Sequence, residues 1–285
     1  MDNFPVVCEI GCNHMGSMDL AKDLALTASQ CGATVIKFQK RNNRELLSEE
    51  EYATPHPVPE NSYGETYGEH REFLEFDLSQ HTKLKEYIES LGCIYSTSVW
   101  DLTSAKEICS LNPELIKIPS ATNLKFDIHD FLASNYDGEI HISLGMTKRS
   151  EINKIIDFYV DNKRENDLVI YSCTSGYPVP FEDVCLLEIK NLIEKYSSKV
   201  KKIGFSGHHL GIAVDIAAMT LGAQIVERHF TLDRTWKGTD HAASLEPTGF
   251  KKLVRDLTNV SKSLEFKAKD ILDIEEIQRK KLKSS

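Results

Sequence analysis

The chain has 285 residues, 41% of them hydrophobic and 27% charged, with a formal net charge of −9. That length suits a single α/β barrel and can bury a large core without staples. The acidic balance argues against nucleic acid or an anionic membrane as partner, so an anionic substrate would need a local basic pocket.

The 7 cysteines follow no framework spacing and sit in apolar runs such as VVCEIG and VIYSC. They are expected to be reduced and mostly buried, as in a cytoplasmic protein. The start MDNFPVVCEIG has no basic segment followed by an apolar one, so no signal peptide is expected. No apolar run approaches the roughly 20 residues that cross a bilayer.

In chain order, short β-branched runs alternate with amphipathic segments. Strands are predicted at 6–11, 34–39, 93–99, 115–120, 139–145, 167–173, 202–208 and 223–230. Helices are predicted at 18–31, 84–91, 104–111, 127–133, 151–160, 184–196, 212–221 and 249–264. Eight strand–helix units imply a parallel sheet closed into an α/β fold of the (β/α)₈ TIM-barrel type. The barrel domain is expected over 1–265, with 266–285 a charged linker or solvated helix. One connection, from Gln39 to about Ser79, spans roughly forty residues, and so long a loop at a strand C-terminus is expected to be functional.

Buried parallel strands should read as unbroken apolar runs, yet six of the eight are interrupted near their C-terminal ends. The interruptions are Glu9, then Lys37 and Gln39, Ser96 and Ser98, Lys117 and Ser120, Ser206 and His208, and Glu227 and His229. Any one of them could be a paired structural group at a barrel rim. Together they would place several uncompensated charges at one mouth. Two lysines from neighbouring strands with several hydroxyls suit a phosphate and a carboxylate. Two histidines with nearby carboxylates, and with Asp240 and His241 after the last strand, suit a first-row divalent metal.

The segments CEIGCNHMGSMDLAKDLA, GATVIKFQK, TYGEHREFLEFD, KIPSATN, CTSGYP, GFSGHHLGIA and ERHFTLDRTWKGTDHAASLEP resemble the sialic acid synthase family, especially its animal-type members. The resemblance covers nearly the whole chain in order. It implies condensation of phosphoenolpyruvate with a mannosamine- or mannose-type aldehyde, free or phosphorylated at carbon 6, assisted by Mn2+ or Mg2+. It implies His208 and His229 as metal ligands and Glu9 as acid/base, with Lys37 and Lys117 beside the reacting groups. Lys37, Lys117, Ser120, Ser143, Ser175 and Ser206 would line the phosphoenolpyruvate site. Asn13, Gln39, Tyr177 and Asp240 would serve the sugar side. Strand alternation and the Ser-x-His pattern select His208 over His209. Glu9 could instead be a structural partner of Lys37, Tyr177 could shape a turn before Pro178, and His14 could cap a helix or touch substrate. Cys173 is expected to pack, since this chemistry needs no covalent enzyme intermediate.

Two departures stand out. Where the family often reads Gly-Ser-Gly-acid, this chain has Pro119-Ser120-Ala121-Thr122, which puts threonine at the usual acidic sugar contact. The resemblance also implies a small C-terminal antifreeze-like domain that supplies an arginine, without counterpart in these 285 residues. Altered sugar choice, or a separate lid domain or protein, is the corresponding expectation, with a homodimer a further candidate. The rival readings are another phosphoenolpyruvate-aldehyde 3-deoxy keto acid synthase and a catalytically silent barrel subunit.

Overall fold

The computed structural model describes residues 4–283. Eight parallel strands hydrogen-bond in sequence order and close on themselves. They are β1 (Val6–Gly11), β2 (Val35–Lys40), β3 (Ile94–Val99), β4 (Leu115–Ile118), β5 (Glu139–Ser143), β6 (Leu168–Cys173), β7 (Lys202–Gly207) and β8 (Val226–His229). The TIM-barrel expectation holds, with the predicted strands long by one to three residues at some ends.

The first helix is α1 (Met18–Gln30). The long connection after β2 departs from expectation, because it folds into three short helices, α2 (Asn43–Leu46), α3 (Glu49–Ala53) and α4 (Tyr67–Phe73). Capping boxes start two of them. Ser48 and Glu51 exchange side-chain and backbone bonds at α3, and Thr66 and Glu69 do so at α4. Helices of one or two turns are too short to show a periodic apolar stripe, so only the caps mark them in the sequence. The remaining helices are α5 (Leu78–Ser90), α6 (Leu102–Ser110), α7 (Phe126–Asn135), α8 (Arg149–Asp161), α9 (Glu188–Tyr196), α10 (Ala213–Thr220), α11 (Pro247–Ser263) and α12 (Asp273–Leu282). No residue of α12 is buried. No helix among the described residues is long and apolar enough to cross a membrane.

Period-2 alternation sends one set of strand side chains out against the helices and the other set into the barrel. Cys8, Ile10, Ile36, Phe38 and Tyr95 point outward into one apolar cluster, and Ile116, Ile118, Ile140, Ile142 and Ile170 into another. Inside, the floor is apolar, made by Val7, Val35, Leu115, Val169, Tyr171 and Ile225. The next inward residue on each of five strands is polar, at Glu9, Lys37, Lys117, Cys173 and Glu227. Gly204 on β7 makes room for the Tyr171 ring, since a Cβ there would lie 2.7 Å from both Tyr171 and Ile225.

Behind β8 a fully buried guanidinium ties the barrel to α10. Arg228 donates to Asp215 Oδ2 at 2.5 Å, to the His209 carbonyl at 2.6 Å and to the Gly211 carbonyl at 2.9 Å. His209 therefore points outward, and His208 inward. Asp215→Asn should leave this guanidinium uncompensated and cost about 3 kcal/mol or more, read from urea denaturation. An unshifted midpoint would remove this network from the stability of the fold.

At the opposite end of the barrel, Glu139 binds His141 at 3.0 Å and Lys201 at 2.8 Å. The His141 hydrogen bond, outweighing burial, holds its carboxyl down at about 2. A depressed carboxylate adds stability above its unfolded value and loses it as pH falls. Glu139→Gln should therefore cost about 1 kcal/mol at pH 7, after discounting for its partial exposure, and the deficit should shrink below about pH 4.5. Denaturation of both proteins between pH 7 and pH 4 measures it, and a pH-independent difference would contradict it.

Candidate active site

The C-terminal ends of the strands and the long connection enclose one cavity of about 680 Å³, large enough for two small polar substrates. Its floor is a charge network. Lys117 Nζ lies 2.8 Å from both oxygens of Glu227. Lys37 pairs with Glu9, donates to Ser98 Oγ at 2.8 Å, and lies 3.9 Å from Glu227. Ser206 donates to Glu227 at 3.2 Å. The two lysines are not on neighbouring strands as expected, because β3 runs between β2 and β4, and Ser98 of β3 accepts from Lys37 in that gap. Lys117 also lies 3.9 Å above the Tyr171 ring.

Each charge in this network is compensated. Burial raises the Glu227 carboxyl, but Lys117 and then Lys37 hold it well below its usual value. Burial drives the Lys37 amine down to about 7, against the pull of Glu227. Glu9, read from sequence as an acid/base with a structural alternative, is physically the ion-pair partner of Lys37, and it also lines the cavity.

On the β4–β6 side the cavity wall is a hydroxyl cradle. Ser120 Oγ accepts from the Gly145 amide at 3.0 Å. Ser175 Oγ is buried without a partner, and Ser143 lines the same wall. A Cβ on Gly145 would lie 2.3 Å from Ser175 Oγ and 2.7 Å from Ser120 Oγ. The unpartnered Ser175 hydroxyl, with Ser120, Ser143 and Lys117 in the same cavity lining, suits a phosphate group.

His208 and His229 face each other from β7 and β8, with ring centroids 5.3 Å apart. Burial, then the neighbouring His229, holds His208 near 3; burial, then Lys37, does the same for His229. Both rings are neutral at physiological pH. His208 Nδ1 lies 3.2 Å from the Thr174 carbonyl, which makes it the protonated nitrogen and leaves the lone pair on Nε2. His229 Nδ1 is buried with no partner. Two neutral imidazoles with an orphaned nitrogen fit a divalent metal, although among the described residues no group of three His, Cys, Asp or Glu side chains converges. Further ligands would come from substrate or water.

Not every residue singled out in the sequence reaches the cavity. Gln39, Tyr177 and Asp240 line it, and the Tyr177 ring lies edge-on to His208 at 4.5 Å. Asn13 lines not this cavity but a small pocket adjoining it, which Asp240 shares, and its amide nitrogen donates to the Phe230 carbonyl at 2.9 Å and to Ser244 Oγ at 3.0 Å. His241 is likewise apart from the histidine pair, bonded to Thr231 Oγ1 at 2.7 Å. Thr122 is buried and does not line the cavity, so it does not take the place of an acidic contact. His14 is packed on Phe76 with Nδ1 receiving the Gly16 amide at 3.2 Å, a structural role. Burial raises the Cys173 thiol, which keeps it protonated.

Glu227, placed at the mouth by its parity with His229 but given no role from sequence, is the central anion of the network. Sequence reading missed Arg41, Arg71 and Trp100, which the long connection and the end of β3 bring into the wall. Arg71 falls in the segment TYGEHREFLEFD that carries the resemblance, but no periodicity there shows which way its side chain points.

A model of the NeuB family matches residues 24–269. The chain is 36% identical to N-acetylneuraminate-9-phosphate synthase of Homo sapiens, covering 98% of this chain and 76% of that one. It is 34% identical to N,N'-diacetyllegionaminic acid synthase of Legionella pneumophila, covering 93% and 75%. Among solved structures, N-acetylneuraminic acid synthetase of Leptospira borgpetersenii superposes with a TM-score of 0.82 at 26% identity, over 100% of this chain and 94% of that one. A truncated 3-deoxy-D-arabino-heptulosonate 7-phosphate synthase of Thermotoga maritima, at 12% identity and a TM-score of 0.68, shares the fold.

Gly145→Ala should displace the Ser120 and Ser175 hydroxyls and weaken binding of inorganic phosphate about tenfold, the loss of one charge-assisted contact. Calorimetric titration measures it, and unchanged affinity in a folded variant would dismiss the cradle as an anion site.

Proposed function

This chain belongs to the NeuB family, and we propose that it condenses phosphoenolpyruvate with the open-chain aldehyde of a mannosamine- or mannose-type sugar. The products are a sialic-acid-like nonulosonic acid and phosphate. The observation that carries this reading is the junction, in one mouth, of a hydroxyl cradle beside Lys117 with a pair of neutral imidazoles. The first suits a phosphate ester, and the second suits a metal that polarises a carbonyl.

In the reaction, carbon 3 of phosphoenolpyruvate bonds to the aldehyde carbon, whose π electrons pass to its oxygen and take up a proton. Water then bonds to carbon 2 and loses its proton. The carbon–oxygen bond to phosphate breaks, leaving the keto acid. Lys117 with Ser120, Ser143, Ser175 and Ser206 holds the phosphate end and takes up the charge that departs with it. Lys37 steers the carboxylate. Glu9, beside Lys37, is the group for moving protons between water and the aldehyde oxygen. Gln39, Tyr177 and Asp240 orient the sugar. Mn2+ or Mg2+ held by His208 and His229 would supply Lewis acidity toward the aldehyde.

Phosphate release should require an aldehyde of this sugar class and a divalent metal. A panel of mannose, N-acetylmannosamine and their 6-phosphates with added Mn2+ tests it, and silence across the panel would sink the enzyme reading. His229→Ala should abolish turnover and leave the free-ion electron paramagnetic resonance signal of added Mn2+ undiminished, with the circular dichroism spectrum unchanged. Tight Mn2+ binding in that variant would refute the ligand assignment.

A further inference from the structure

The long connection after β2 carries an unspent cation. Arg41, at the end of β2, is paired with Glu75. Burial works against its charge, yet Glu75 beside it holds the guanidinium above its usual value. Arg71, on α4, has no such partner. It makes no ion pair among the described residues, and its Nε is buried without a hydrogen bond. Its guanidinium lies 5.7 Å from the Trp100 ring centroid and 5.1 Å from that of Tyr67. Burial and then the adjacent Arg41 hold Arg71 below its ordinary value, against the pull of Tyr67 and Glu75. The other basic side chain at this part of the wall for which a shift is resolved, His70, is held near 4 by burial and then His56, and is neutral at physiological pH.

Position separates this cation from the phosphoenolpyruvate side. Arg71 and Trp100 belong to the β2–β3 side of the mouth, whereas the hydroxyl cradle belongs to β4–β6. The lysines on the floor are already neutralised by Glu9 and Glu227. An anion on the far end of the second substrate would therefore find Arg71 without a carboxylate ion-pair partner, beside the Tyr67 and Trp100 rings.

We propose that Arg71 is a specificity-determining residue that binds a phosphate on the acceptor sugar, at the end remote from its aldehyde. This deepens the condensation reading and rests on it. A planar guanidinium presents two parallel N–H donors to a phosphate, a match that an ammonium lacks.

The test compares N-acetylmannosamine 6-phosphate with N-acetylmannosamine, by calorimetric binding and by phosphate release from phosphoenolpyruvate, in the native protein, Arg71→Ala and Arg71→Lys. The native protein should favour the phosphorylated sugar. Arg71→Ala should lower the kcat/KM ratio of phosphorylated to unphosphorylated sugar by about tenfold to a hundredfold, and Arg71→Lys should fall between. The KM for phosphoenolpyruvate should shift less than that for the phosphorylated sugar. An unchanged ratio in Arg71→Ala, or a loss carried by the KM for phosphoenolpyruvate, would overturn the assignment. If neither sugar drives phosphate release but calorimetry still shows Arg71-dependent binding of the phosphorylated one, the condensation reading falls and the anion site stands.

Discussion

Everything at the mouth of this barrel depends on four buried charges that cancel. Glu9, Lys37, Lys117 and Glu227 sit on the first polar layer above an apolar floor. Moving one such ion from water into a protein interior costs several kcal/mol. Two cations facing two anions offset that cost, and Ser98, Ser206 and the face of Tyr171 satisfy what remains. The network can exist only because Gly204 leaves space for Tyr171 to lie under Lys117. Loss of one carboxylate would strand a lysine, so the four positions act as a unit.

Cancellation has a consequence for binding. A site whose lysines are spoken for has little net charge left to attract an anion. An incoming anion has to share the lysines with Glu9 and Glu227, and the rest of the affinity has to come from groups that the fold leaves unsatisfied. These include the Ser175 hydroxyl, the His229 imidazole nitrogen and Nε of the Arg71 guanidinium. They come from different walls of one cavity, and each suits a different partner: phosphate ester, metal ion and acceptor anion. On the proposed reading, the floor fixes geometry and the unsatisfied walls select ligands.

The long connection supplies one of these walls. Its helices are held by capping boxes and by aromatic stacking, with Tyr63 against Phe73 at 4.9 Å and Arg41 against Glu75. A loop of this length placed at a strand C-terminus would be costly without a function. Here it carries side chains that eight strand ends alone cannot provide.

Much of this was legible in the sequence. Alternation of β-branched runs with amphipathic segments dictated eight strand–helix units, and polar residues at inward positions marked Lys37, Lys117, His208 and His229, because period-2 parity is a local property. The same rule separated His208 from His209. Tertiary structure decided the pairings. Glu9 meets Lys37, and Glu227 meets Lys117 across the barrel, partners 28 and 110 positions apart. It also withdrew Asn13 and His241 into backbone and threonine contacts, and raised Arg71 from an unremarkable helix residue to a cavity wall. Parity tells which way a strand residue points. It cannot tell what a turn residue such as Asn13, or a side chain on a two-turn helix, will meet, because closure of the barrel brings those neighbours from distant parts of the chain.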